Sequence, residues 1–207
     1  MPDLHERKKP SSLDGVRRAA WEELESKNPE TLAKCSLGKL KDGLLEIPFL
    51  GQRYLLDFDE RVVKNEDGSP TNRFFATLIL HYVVGANEFG PTGELVSFRD
   101  FWGGDTYYGA FVSRAIQPIK DAFVESPEGL ETRAEKLGGK SVDHGDISVE
   151  IPVFPKVPLT IILWKGDEEI PGSANILFDR LAGRILHTED LAAIGELVAK
   201  MLIGQEQ

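Results

Sequence analysis

The stretch Arg99-Asp100-Phe101-Trp102-Gly103-Gly104-Asp105-Thr106-Tyr107-Tyr108 holds the densest set of residue types able to grip a ligand. Two adjacent glycines between an apolar run and a helical pattern make a turn whose backbone amides face an anion as the helix opens. Arg99, and Arg114 further on, can each present two parallel donors to a carboxylate or phosphate. Trp102, Tyr107 and Tyr108 offer flat faces to a ring system, and Asp105 completes the set. The glycine spacing fits neither the dinucleotide fingerprint nor the phosphate loop with its lysine. The plainer reading is a tight strand-to-helix turn with core aromatics and surface arginines, because glycine pairs are ordinary turn punctuation.

Other chemistry is thinner. Asp167-Glu168-Glu169, with Asp179 across a hairpin, carry oxygens of the kind a hard cation prefers. Lys165-Gly166-Asp167 is equally ordinary turn composition, and the calcium-loop spacing is absent. Of the four histidines, His5 lies near the N-terminus, His81 in the most apolar run, His144 in a Gly/Asp segment, and His187 just before the last helical pattern. None stands at the i, i+4 spacing of a helical zinc site, so no metal is assigned. His81 is expected as a neutral ring bonded to backbone, and His187 as a metal or cofactor ligand or as part of a capping turn. There is no Gly-x-Ser-x-Gly elbow, and nothing pairs Cys35 with a base. Catalytic residues therefore stay unknown.

The elements that must position these groups follow from composition and period. The 207 residues suffice for one globular domain. A domain of this size buries roughly 70% of its unfolded surface without needing disulfides or metals. A balance of 24 Lys+Arg against 34 Asp+Glu, net −10, argues against DNA, RNA and anionic membranes as partners. The one basic cluster is Arg7-Lys8-Lys9. A single cysteine excludes an intrachain disulfide and any four-cysteine cluster, and it fits a reducing compartment. Met1 to Ser12 lacks the apolar core of a signal peptide, and Ala76 to Ala86 is too short to span a bilayer. The expectation is a cytoplasmic protein with a flexible tail at 1–12 and one α+β domain at 13–207.

Along the chain, Asp14 is placed to cap a first helix, and Asn28-Pro29-Glu30 starts a second. Leu44 to Leu50 and Tyr54 to Phe58 read as a hairpin about Gly51-Gln52, glycine first. Arg61-Val62-Val63 adds a short strand. Thr71 is placed to cap a helix over 72–84, closed by Gly85 and apolar almost all round. Leu95 to Phe101 reads as a strand, and Gly103-Gly104 leads into a helix from about Thr106 that Pro118 ends or kinks. Pro127 to Gly145 reads as loop around a short helix. Strands follow at Ile147–Val153, Leu159–Trp164 and Ala174–Phe178. Thr188 caps a final helix at 189–203, whose Leu191, Ile194, Leu197, Val198 and Leu202 share one stripe.

Adjacent hairpins outnumber crossover units, so the reading is α+β, with a mixed or mainly antiparallel sheet, or two, packed against helices 72–84 and 189–203. Glu46-Ile47-Pro48 recurs as Glu150-Ile151-Pro152, 104 residues later, each opening a strand-strand-strand-helix order. Coincidence and duplication into two similar halves, about 44–90 and 147–204, both account for that.

Leu78-Ile79-Leu80-His81-Tyr82, Ser97-Phe98-Arg99 with Gly103-Gly104, Tyr108 to Phe111 with Arg114, Phe154-Pro155-Lys156-Val157-Pro158, Trp164 to Glu169, Ala174 to Asp179 and Thr188-Glu189-Asp190-Leu191 form a pattern. It resembles a family of uncharacterised bacterial and archaeal domains of unknown function, seen mostly in anaerobes, from about Leu44 to Leu202. Some relatives carry an added cysteine-rich iron–sulfur segment; this chain's single cysteine cannot hold such a cluster. The resemblance implies an accessory role near anaerobic redox or cofactor metabolism. The leading expectation is a non-catalytic module holding a small anionic or aromatic ligand, or a cofactor of unknown identity. The alternatives are an enzyme acting on a small anionic substrate and a protein-interaction subunit.

Overall fold

A computed structural model describes residues 13–205, so the expected tail, with His5 and Arg7-Lys8-Lys9, lies outside the described residues. Helix α1 spans Leu13–Glu25, and Asp14 therefore lies inside it, not ahead of it. Helix α2 spans Pro29–Ser36 with the expected cap. Asn28 Oδ1 accepts from the amides of Glu30 at 2.8 Å and Thr31 at 3.4 Å.

Strands β1 (Lys39–Lys41), β2 (Leu44–Phe49), β3 (Gln52–Asp57) and β4 (Val62–Asn65) form an antiparallel meander in chain order. The β2–β3 loop is Leu50-Gly51, not Gly51-Gln52. Both loop residues have positive φ, 49° and 76°. Two successive positive φ values are the signature of a type I′ turn. Leu50 is drawn out of the strand by a tertiary contact: its side chain is buried and its amide donates to Val153 O at 3.0 Å.

Helix α3 (Arg73–Gly85) is capped by Asn72, whose Oδ1 accepts from Phe75 N at 2.8 Å. Thr71, whose amide donates to Val63 O at 3.0 Å, lies one residue before the cap. Phe75 packs edge-on against Phe49 and Tyr54 of the first sheet. Further along, Tyr82 lies flat on Phe154 of the second sheet, 4.2 Å between centroids.

That second sheet comprises β5 (Leu95–Ser97), β6 (Lys140–Val142), β7 (Ile147–Phe154), β8 (Val157–Trp164) and β9 (Ser173–Asp179), in the antiparallel order β5-β9-β8-β7-β6. Strand β5 stops short of Phe101 because the chain tightens into a 3₁₀ turn at Phe98–Asp100, where Asp100 accepts from Ser97 N at 2.8 Å. The segment 127–145 contains the expected short helix, α6 (Glu128–Glu135), and also the edge strand β6, whose exposed polar residues carry no local strand signal.

Pro118 does not end its helix. Helix α4 (Gly104–Phe111) runs into a π turn (Val112–Ile116) and then α5 (Gln117–Phe123). The wider turn absorbs the missing proline donor and spares the ring a clash with the preceding carbonyl. Helices α7 (Ala182–Ile185) and α8 (Thr188–Ile203) close the chain. His187 occupies the α8 cap position, and its amide donates to Asp190 Oδ2 at 3.3 Å; the Thr188 hydroxyl is bonded elsewhere.

The order helix, four-strand antiparallel meander, helix therefore occurs twice, as α2-β1-β2-β3-β4-α3 and as α6-β6-β7-β8-β9-α7-α8. In the two meanders Glu46 pairs with Lys39 and Glu150 with Lys140, at the same place in the shared tripeptide. One continuous apolar core runs through both sheets and into α3 and α8. Among the described residues no helix is long and apolar enough to cross a membrane.

Asp179 ends β9 as a buried carboxylate. It accepts from Thr92 N and Oγ1 at 3.0 Å each, Gly93 N at 2.6 Å and Leu181 N at 2.8 Å. Burial alone pushes its carboxyl up, but the donors of Thr92, Leu181 and Gly93 outweigh it and hold it below the usual carboxylate range. Its stabilising contribution is thus present above about pH 4 and is lost as pH falls through the depressed folded value. Asp179→Asn is expected to lower the free energy of unfolding by about 2 kcal/mol at neutral pH. The gap between the two proteins should narrow in denaturant titrations below about pH 4.

Candidate functional site

The glycine pair is explained by the turn it makes. Phe98 is buried and stacks on Phe111 of α4 at 4.2 Å. To reach that stack the chain doubles back within a few residues, with Phe101 N donating to Phe98 O and Gly104 N donating to Phe101 O at 2.8 Å. Gly103 takes φ +72°. A side chain there would be strained. At Gly104 an added Cβ would lie 2.1 Å from Phe98 O, so nothing larger fits. The Gly104 amide is spent inside the turn and does not face an incoming anion.

Helix α8 lies against this turn. Thr188 Oγ1 donates to Trp102 O at 2.7 Å, which ties the helix start to the turn. Further along, Gly195 lets α8 press onto the Phe111 ring; a Cβ there would stand 2.4 Å from it. The two contacts show that α4 and α8 run side by side in the same direction. Between them is a groove of about 260 Å³. Trp102, Tyr107, Phe111 and Arg114 line one wall, and Glu189, Ala192, Ala193 and Glu196 line the other. Trp102 is 71% exposed and Tyr107 56%, so both rings stand over the groove with much of their surface toward solvent.

The eight residues singled out by sequence divide into two groups. Trp102, Gly103, Tyr107 and Arg114 line the groove. Arg99, Asp105 and Tyr108 interact with one another: the Arg99 guanidinium sits 4.3 Å over the Tyr108 ring, and its Nη2 is 3.4 Å from Asp105 Oδ1. Gly104 is buried in the turn. Helical spacing is the reason, since residues 103, 107, 110, 111 and 114 share one face while 105 and 108 fall on another. The α8 wall was missed altogether. Its signal was Glu189-x-x-Ala192-Ala193-x-x-Glu196, small residues flanked by acids at i, i+3, i+4, i+7, opposite the leucine stripe.

The charges are distributed unevenly along the groove. Glu196 is held by Lys200 at 2.8 Å, whereas among the described residues no ion pair ties down Arg114.

The remaining candidates do not converge. Asp167 Oδ1 accepts from Glu169 N at 2.9 Å and Ile170 N at 2.7 Å in the β8–β9 turn, while Asp179 lies at the far end of β9. Its proposed partnership with Asp167 is therefore excluded. His81 is bonded to a carboxylate, not to backbone: its Nδ1 is 2.9 Å from Asp190 Oδ1, joining α3 to α8. Among the described residues no three His, Cys, Asp or Glu side chains are grouped to hold a metal ion.

Two antiparallel meanders wrapped by helices, with a groove between α4 and α8, define an α+β architecture whose candidate site is a helix–helix cleft. The chain belongs to a family described as a domain of unknown function (DUF3786), whose model matches residues 28–201. The match begins at the α2 cap and ends in the last turns of α8, so it includes both sheets and both walls of the groove. No curated protein and no solved structure matches the chain.

Gly195→Ala forces either α8 or Phe111 aside. Its expected cost is about 1–3 kcal/mol, read as a lowered denaturant midpoint with an unchanged slope.

Proposed function

We propose that this chain is a cytoplasmic binding module that takes a small, flat, anionic molecule into the groove between α4 and α8. The observation that carries this reading is Arg114, which no carboxylate neutralises among the described residues, standing beside an apolar floor beneath two exposed aromatic rings. The floor of Phe111, Ala192 and Ala193 removes apolar surface from water, while Trp102 and Tyr107 supply stacking faces. Size narrows the ligand. The groove's volume is about 260 Å³. Sites for drug-sized ligands begin at roughly 300 Å³, so this one suits a single ring system and not a dinucleotide.

Binding is favoured over catalysis by the fate of the polar groups. The Thr188 hydroxyl in the groove is already donated to Trp102 O, and the lining residues place no nucleophile beside the acids of α8. The acidic net charge and the lone half-exposed Cys35 support a reducing compartment and a ligand that is not a polyanion.

The test is calorimetric titration with 2-naphthoate, a flat ring bearing one carboxylate. A hydrogen bond to a charged group contributes about 1.5–3 kcal/mol, so Arg114→Gln should weaken binding at least ~10-fold. Trp102→Ala should weaken it comparably through lost stacking. Arg99→Gln should leave it within ~2-fold, since Arg99 serves Tyr108 and Asp105. Equal affinity in wild type, Arg114→Gln and Trp102→Ala, or no binding at all, overturns the reading.

A further inference from the structure

The open edge of the first sheet carries a surface of its own character. From Thr31 to Lys41 the sequence holds Lys34, Lys39 and Lys41 and no acidic residue, in a protein of net charge −10. All three lysines are exposed, and among the described residues none of them forms an ion pair. Glu46, opposite Lys39 in register, approaches Arg53 at 3.9 Å. Two leucines stand among these cations, Leu37 at 55% exposure and Leu40 at 39%. Leu37 ends α2 with φ 55°. That is the left-handed position glycine ordinarily fills. A bulky apolar side chain held there and turned to water is unfavourable on both counts, and such outliers concentrate at functional surfaces. Gly38 then brings the chain close against β2, where an added Cβ would lie 2.7 Å from Glu46 O. Strand β1 is the last in its sheet, so the backbone groups along its outer side have no strand beyond them.

We propose that β1 receives an extended, acidic segment of a partner protein as an added strand. Backbone hydrogen bonds along the open edge supply the pairing in this mode, and side chains supply the choice of partner. Leu40 lies opposite the core residue Leu45, so it faces the core side of the sheet, while Lys39 and Lys41 face the other. Cross-strand neighbours share a face. The segment that fits therefore reads acid-apolar-acid, its apolar residue beside Leu40 and its acids beside Lys39 and Lys41. A second copy of this chain does not fit, because two lysine-bearing edges repel each other. The net charge is no obstacle, since exposed charges more than about 10 Å apart are largely screened at physiological salt. Acids elsewhere on the surface instead confine such a partner to this edge.

The experiment follows amide shifts of the isotope-labelled full chain during titration with acetyl-Ser-Glu-Val-Glu-Ile-Ser-amide. A scrambled peptide, acetyl-Ser-Glu-Glu-Val-Ile-Ser-amide, and phosphatidylglycerol vesicles are the other arms. Shifts are expected at Gly38 to Lys41, and the alternating peptide should bind at least ~3-fold more tightly than the scrambled one. Lys39→Glu combined with Lys41→Glu should weaken it ~10-fold, through two lost ion pairs and the repulsion that replaces them. Leu37→Gly should weaken it ~3-fold without lowering the thermal midpoint, so that the loss is not one of folding. Equal binding of the two peptides, shifts away from β1, an affinity that survives the double reversal, or no binding overturns the proposal. Binding to the vesicles but to neither peptide overturns it in favour of a membrane surface. The groove between α4 and α8 is not involved, so the result stands whether or not 2-naphthoate binds there.

Discussion

Three aromatic rings hold the halves of this molecule together. Phe154, at the end of β7, has Tyr82 of α3 on it at 4.2 Å and 3°, and Phe49 of β2 at 4.6 Å and 22°. The stack therefore joins one helix to both sheets at once. Tyr82 is fully buried, and its hydroxyl donates to Ser36 O at 2.7 Å at the end of α2. That partner is what lets a phenol sit in an apolar core. Burial pushes the phenol well above its ordinary pKa, so the ring stays neutral. Around this point Leu50 N reaches Val153 O, and the two meanders share one core where each alone would leave an apolar face in water.

The groove depends on α8 being held from two sides. Toward α3, the His81–Asp190 contact and the packing of Gly85 under Ile185 O fix the start of the helix. Toward α4, Thr188 binds Trp102 O and Gly195 receives Phe111. Small residues do opposite jobs on two faces of one helix. Gly195 closes the contact with Phe111, while Ala192 and Ala193, one turn earlier, stop short of filling the space and leave a cleft. A larger side chain at either alanine would fill it, so the cleft exists by the absence of volume and not by any special backbone.

Much of the scaffold was legible along the chain. The α2 cap at Asn28, the leucine stripe of α8 and the short apolar runs of β7, β8 and β9 are local signals, each carried by residues close together in the chain. The failures share a cause. Leu50 left its strand for Val153, the Thr188 hydroxyl is taken by Trp102 O while His187 holds the cap position, the α3 cap falls at Asn72 and not at Thr71, and β6 formed only because β7 offered it an edge. Pro118 reads as an end or a kink, and one π turn carries the helix across it.

By itself the sequence determined the α+β class with its antiparallel hairpins, the buried character of α3 and α8, and a glycine turn before α4. These follow from period, capping and backbone sterics, which act over a few residues. Tertiary structure alone decided which aromatic and charged groups share a surface. Tyr107 and Tyr108 are neighbours in α4 and belong to different faces, whereas Arg114 and Ala192, nearly eighty apart, line one groove. A helix turns each successive side chain onto a different face, and only packing against a second helix selects the face that becomes a site.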